Sequence, residues 1–75
     1  MERTEVESTN IEAVTYNEND SILVIEFKSG ATYEYYDVPE YIVDELMAAE
    51  SKGKYANQNI YRSFRYCRIG WFFIV

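Results

Sequence analysis

Five cations stand in the last 25 residues of this 75-residue chain: Lys52, Lys54, Arg62, Arg65 and Arg68, with no carboxylate among them. Tyr55, Tyr61 and Tyr66 are interleaved with them. Cations neutralise phosphates and aromatic rings stack on bases, so this spacing points to nucleic acid, with RNA or tRNA as the candidate partner. Residues 1–50 hold all 13 acidic residues against only Arg3 and Lys28, and the whole chain has a net charge of −6. Such polarity has two other readings: charge complementarity within the fold, and head-to-tail association between copies.

Catalytic chemistry finds little support. Histidine, the commonest general base and metal ligand, does not occur in the sequence. Cys67 is the one cysteine, and nothing in the sequence activates it as a nucleophile. It is expected to be a small apolar filler. Gly30, Gly53 and Gly70 are scattered, so they form no phosphate-binding loop. A non-enzyme is expected, with no metal, cofactor or small-molecule substrate. Ser51-Lys52-Gly53-Lys54 admits two readings. Free N–H groups at a helix start could hold an anion beside the two lysines, or the stretch is a helix–helix corner whose glycine is left-handed. The corner is preferred.

The elements that position these residues are centred on Leu23–Tyr36. Its β-branched and aromatic residues suit a pleated sheet. A three-residue Lys28-Ser29-Gly30 loop opposes Phe27 to Ala31, Ile25 to Tyr33 and Leu23 to Tyr35, gathering the large groups on one face, with Gly30 left-handed. Tyr33 and Tyr35 are then either a stacking platform for bases or core residues with hydroxyls at the rim, and the core reading is preferred. Ile22, Val24 and Tyr36 fall on the reverse face and ask for partial cover. Ile11–Tyr16 is an earlier strand, with Val14 and Tyr16 on one face and Glu12 beside them. A four-residue turn, Asn17–Asp20, would set Val14 opposite Leu23.

After Val38-Pro39 a helix begins, with Ile42, Val43, Leu46, Met47 and Ala49 forming its apolar stripe. A second helix is expected from about Lys54 to Phe64, with Ala56, Ile60 and Phe64 at four-residue spacing. Arg65–Val75 ends in Trp71-Phe72-Phe73-Ile74-Val75, a run that would aggregate if exposed. It is expected to form a fourth strand, within the chain or across a dimer. The fold class is therefore α+β: a three-stranded antiparallel meander packed on two short helices, with a further C-terminal strand. One domain is expected, of thin core and a margin of ~3–5 kcal/mol. Residues 1–8 read as a frayed acidic lead-in, 9–64 as the domain, and 65–75 as an extension packed on the domain or a partner. No signal-peptide pattern opens the chain and no run is long enough to span a membrane, so a soluble cytoplasmic protein is expected.

The pattern resembles the KTSC domain, the short module named for its place at the C-terminus of some lysyl-tRNA synthetases. The matching residues are Ser8-Thr9-Asn10-Ile11, Tyr16, Leu23, Ile25, Phe27, Gly30, Tyr33-Glu34-Tyr35, Val38-Pro39, Ser51-Lys52-Gly53, Asn57 and Ile60, over about residues 8–64. The resemblance implies a module that also stands alone in bacteria and phages. Its association with a tRNA ligase implies RNA binding. It also marks Gly30, Tyr33, Tyr35, Pro39, Ser51, Gly53, Asn57 and Ile60 as motif positions, mainly structural. The alternative function is protein–protein interaction, for example a homodimer through the 65–75 tail.

Overall fold

A computed structural model describes residues 2–71. The elements in chain order are β1 (Arg3–Glu5), β2 (Ile11–Asn17), β3 (Ile22–Phe27), β4 (Ala31–Tyr35), α1 (Glu40–Ala48), α2 (Lys52–Asn59) and β5 (Tyr66–Trp71). All five strands form one antiparallel sheet in the order β1-β2-β3-β4-β5. The expected meander is its centre, β2 to β4, and a strand is added on each side.

The central hairpin has the register that its hydrophobic pattern requires: Leu23↔Tyr35, Val24↔Glu34, Ile25↔Tyr33 and Glu26↔Thr32. Gly30 closes the turn at φ 103°, and its N–H donates to the Phe27 carbonyl at 2.9 Å. A side chain there would sit in a region that costs L-residues free energy.

The preceding turn differs from expectation. Tyr16 opposes Leu23, and Val14 opposes Ile25 rather than Leu23. The loop is displaced because Asn17 joins the strand and its side-chain oxygen accepts from the N–H groups of Asn19 and Asp20 at 3.0 and 3.4 Å. Ser21 then takes the left-handed conformation, φ 57°. The displacement is two residues, so the buried face is preserved. A bulge between Ile11 and Ala13 removes Glu12 from that face and puts Ile11, fully buried, in its place.

The lead-in is not frayed. Arg3, Thr4 and Glu5 pair with Thr15, Val14 and Ala13. Arg3 anchors the strand: its Nε donates to both Glu26 carboxylate oxygens, at 3.0 and 2.9 Å. Glu26 is itself buried on the face away from the helices, so the cation compensates a carboxylate that water reaches poorly. On that same reverse face Ile22, Val24 and Tyr36 are half-buried, and the Tyr36 hydroxyl donates to Glu34 at 2.9 Å.

Both helices cover the other face. Ile42, Val43 and Leu46 of α1 and Ala56 of α2 join Ile11, Val14, Leu23, Ile25, Tyr35, Val38 and Ile60 in one core. Each Val, Leu or Ile side chain among them contributes about 1.5–3 kcal/mol on burial. The Tyr16 hydroxyl donates to the Val38 carbonyl at 2.6 Å, tying β2 to the entry of α1. Helix α2 starts two residues earlier than expected and ends at Asn59. Ser51 is its N-cap and accepts from the Lys54 N–H at 3.3 Å. Gly53 therefore lies inside the first turn, and Gly30 is the glycine with positive φ among the described residues; the left-handed corner glycine is not observed. After Ile60 the chain leaves the helix through turns, where Tyr61 N–H donates back to the Ala56 carbonyl at 2.9 Å.

The C-terminal strand forms within the chain. β5 pairs with β4 at Tyr66↔Tyr35, Cys67↔Glu34, Arg68↔Tyr33, Gly70↔Thr32 and Trp71↔Ala31. The register shift leaves Ile69 as the extra residue, 49% exposed. Cys67 is exposed rather than a core filler, because the ladder places it opposite Glu34 on the reverse face. The expected burial of the apolar run concerns residues 72–75, which lie outside the described residues. No described helix is long and apolar enough to cross a membrane.

Candidate functional site

The helices stop short of the β4–β5 side of the sheet, and a hollow of about 420 Å³ opens there. Five rings line it: Phe27, Tyr33, Tyr35, Tyr61 and Tyr66. Ser29 and Ala31 complete the lining, and neither helix contributes a residue. Alternation along β4 places Tyr33 and Tyr35 on the same face, and cross-strand pairing adds Tyr66 to it. Tyr61 arrives from the turn after α2.

The rings touch in a graded series. Tyr33 and Tyr35 are near-parallel at 6.3 Å and 19°, and Tyr35 and Tyr61 at 6.1 Å and 25°. Tyr66 leans on Tyr33 and Tyr35 at 5.5 and 5.7 Å, tilted by 40° and 39°. Phe27 meets Tyr33 edge-on at 5.6 Å and 87°. Tyr35 is the buried base of the cluster at 3% exposure, whereas Tyr66, at 55%, is its open wall. Burial, with the Tyr61, Tyr33 and Tyr66 hydroxyls nearby, pushes the Tyr35 hydroxyl well above the usual phenol range. Burial also raises Tyr61. The core reading thus holds for Tyr35, while Tyr33 is half-buried and lines the hollow.

The hollow does not end at the rings. An adjoining hollow of about 450 Å³ shares Phe27, Ser29 and Tyr61 with it and adds Lys28, Thr9 and Asn10. A third, of about 440 Å³, shares Thr9 and Asn10 and runs to Ser51, Lys52, Gly53 and Lys54. One track therefore connects the ring cluster to the start of α2. The two polar stretches Ser8–Asn10 and Ser51–Lys54, far apart in sequence, meet at its end. A Cβ on Gly53 would lie 3.7 Å from Asn10 Nδ2 and 3.8 Å from Ser8 Oγ, ordinary contact distances, so the two stretches face each other across this position. Glu7 and Glu50 also line this end, which weakens its attraction for an anion.

The cations identified in the sequence divide. Lys54 and Arg62 are exposed. Lys52 donates to the Ala49 carbonyl at 3.0 Å and so satisfies the end of α1. Arg68 stands opposite Tyr33, on the ring-bearing face. Arg65 lies opposite Tyr36, whose N–H donates to the Arg65 carbonyl at 2.9 Å. Its guanidinium pairs with Asp37 at 3.0 Å and sits 5.6 Å from the Tyr36 ring centre, on the reverse face. Tyr55 is not a free stacking group: its hydroxyl donates to Glu45 at 2.6 Å and links α2 to α1. The motif positions are mostly architectural. Gly30 closes a turn, Pro39 precedes α1 as its N-cap, Ser51 caps α2, and Ile60 is fully buried. Asn57 is exposed.

Phe27 and Lys28 are the site residues that sequence reasoning misses. Alternation assigns Phe27 to the core, yet its position at the last step of β3, beside the turn, leaves it at the sheet's uncovered corner. Lys28 has no sequence signal beyond its place in the loop.

A single-sheet α+β domain with an aromatic hollow on its uncovered corner is the class of protein that these features define. The family model described as the KTSC domain matches residues 7–64, and the chain belongs to that family. It is 47% identical over 60 residues to a protein of Tsukamurella paurometabola, covering 80% of this chain and 90% of that one. A lysine–tRNA ligase of Nostoc is 40% identical over 60 residues, but these are 80% of this chain and 11% of the ligase. The crystal structure of a KTSC domain protein from Yersinia pestis superposes with a TM-score of 0.89 at 33% identity, covering 92% of this chain and 97% of that one.

Proposed function

We propose that this chain is a non-catalytic RNA-binding module, with tRNA the first candidate ligand. The observation that carries the reading is the track from the ring cluster past Lys28 to Lys54. Rings and cations along one groove suit an extended strand, whose bases stack while its phosphates meet positive charge. Arg62 follows Tyr61, and Arg68 stands opposite Tyr33, so both adjoin the ring end. Lys52 belongs to the far end of the track, and Arg65 contributes where RNA passes round the β5 edge. The lysine–tRNA ligase relative supports the same reading.

Anisotropy of labelled tRNA and labelled single-stranded RNA, titrated at several salt concentrations, tests it. Binding should weaken as salt rises. Arg62→Ala with Arg68→Ala should lower both the affinity and the salt slope, by about 0.7 for each single-strand phosphate that is no longer neutralised. No binding at low salt would refute the reading.

A second reading rests on β5. Among the described residues it is one of the two edges of the sheet, with Tyr66 and Ile69 exposed, and an open edge can accept another strand. A homodimer through β5 is its specific form. Light scattering of the intact chain and of Ile69→Lys separates it, since a dimer should dissociate in the variant.

A further inference from the structure

We infer that the five-ring hollow is a subsite for a single unpaired nucleobase of a strand, with Tyr66 as its stacking wall. The inference rests on the RNA reading above and adds which part of the RNA this site takes.

Three observations carry it. First, five of the seven residues that line the hollow are aromatic rings, and they pack on one another. Tyr33, Tyr35 and Tyr61 lie within 25° of parallel in successive pairs, and Tyr66 tilts away from that array. A planar ligand enters such an array face-on. Bases within a duplex present only edges, so the geometry selects an unstacked base. Second, the volume of about 420 Å³ is near the lower end of the ~300–1,000 Å³ typical of small-ligand sites. It suits a ligand of nucleotide size rather than a long stacked run. Third, the charge fits a nucleotide. The chain carries 13 acidic residues, yet among the described residues no carboxylate lines this hollow. Lys28 lies in the adjoining hollow, and Arg68 is across the ladder from Tyr33. A neutral aromatic ligand would not need that separation of acids from rings. An anionic one would.

The base in this subsite sits on Tyr66, which is 55% exposed and so is the ring with a face still to cover.

The test compares a labelled ten-nucleotide single strand with a labelled RNA duplex of equal length, using the full chain and its Tyr66→Leu and Tyr66→Phe variants. Tyr66→Leu should weaken single-strand binding by about five- to a hundredfold, the range of one lost base stack. It should leave the salt slope and the duplex affinity unchanged, and Tyr66→Phe should restore single-strand binding. In the unsubstituted protein, a strand carrying 4-thiouridine should crosslink under ultraviolet light to Tyr66 or Tyr33. If the protein binds strand and duplex equally, and Tyr66→Leu is silent or the crosslink falls outside the ring cluster, RNA binding stands and the base subsite is wrong. If the unsubstituted chain binds neither RNA at low salt, both readings fall together.

Discussion

Arg68 stands opposite Tyr33 across the β4–β5 ladder, on the face of the sheet that carries the ring cluster. Three residues earlier Arg65 is on the other face, held by Asp37 and the Tyr36 ring. Strand alternation thus separates two cations that look equivalent in sequence. Arg68→Ala should reduce RNA affinity. Arg65→Ala should do so less, because its side chain is directed away from the track. Its pair with Asp37 is exposed on both sides, so losing it should change stability by under ~1 kcal/mol. Anisotropy and thermal unfolding of the two variants check both statements.

Arg3 and Glu26 give the second prediction. The Glu26 side chain is 9% exposed and the Arg3 side chain 44%, so the pair is half-shielded. Arg3→Ala leaves a buried carboxylate without its cation and should cost about 1–3 kcal/mol. Glu26→Gln in the Arg3→Ala background should cost less than it does alone, since the two side chains are coupled. Urea unfolding of the four proteins gives the coupling. Additive effects would mean that β1 is not held by this pair.

The two motif glycines should respond oppositely to alanine. Gly30→Ala places a Cβ at φ 103° and should cost about 1–2 kcal/mol. Gly53 lies within the first turn of α2, and its added Cβ would meet only ordinary contacts at 3.7 and 3.8 Å. Gly53→Ala should therefore be neutral or stabilise by up to ~1 kcal/mol through helix propensity. Equal destabilisation in urea melts would contradict the placement of Gly53 inside the helix.

Alkaline stability follows from the tyrosines. Tyr55 is pushed up to about 12, first by burial and then by its hydrogen bond to Glu45. Tyr35 and Tyr61 are raised by burial. In the unfolded chain each ionises near pH ~10. A folded pKa above the unfolded one gives a contribution that is complete below the unfolded pKa and is lost as pH rises through the folded one. Unfolding free energy should therefore fall between about pH 10 and 12, and Tyr55→Phe should make that fall shallower. An identical pH profile in the variant would show that Tyr55 is not shielded.

Much of the sheet was legible in the sequence, and the exceptions share a cause. The β3–β4 register followed from one requirement, that Leu23, Ile25 and Phe27 share a face with Tyr33 and Tyr35. Hydrophobic alternation could not locate the β2–β3 turn, because the side chain of Asn17 and the left-handed Ser21 fix it, and neither changes the face pattern. The bulge at Glu12 was hidden for a similar reason: a strict period of two assigns Glu12, not Ile11, to the core. β1 was not legible because its stability comes from a partner 23 residues away, which local composition does not register. The ring cluster was half legible. The Tyr-x-Tyr of β4 was visible as a shared face, but the arrival of Tyr61 and Tyr66 depends on where α2 ends and how β5 aligns.

The central claim is that RNA lies along the track from the ring cluster to the start of α2. The most direct measurement is titration of the isotope-labelled protein with a single-stranded RNA, followed by the backbone amide resonances. Binding along the track predicts progressive shifts concentrated at Phe27–Tyr35, Tyr61–Arg68 and the Asn10 and Lys54 amides, with β1 and the outward side of α1 unmoved. Shifts confined to β1 and the outward side of α1, or none at low salt, would contradict it.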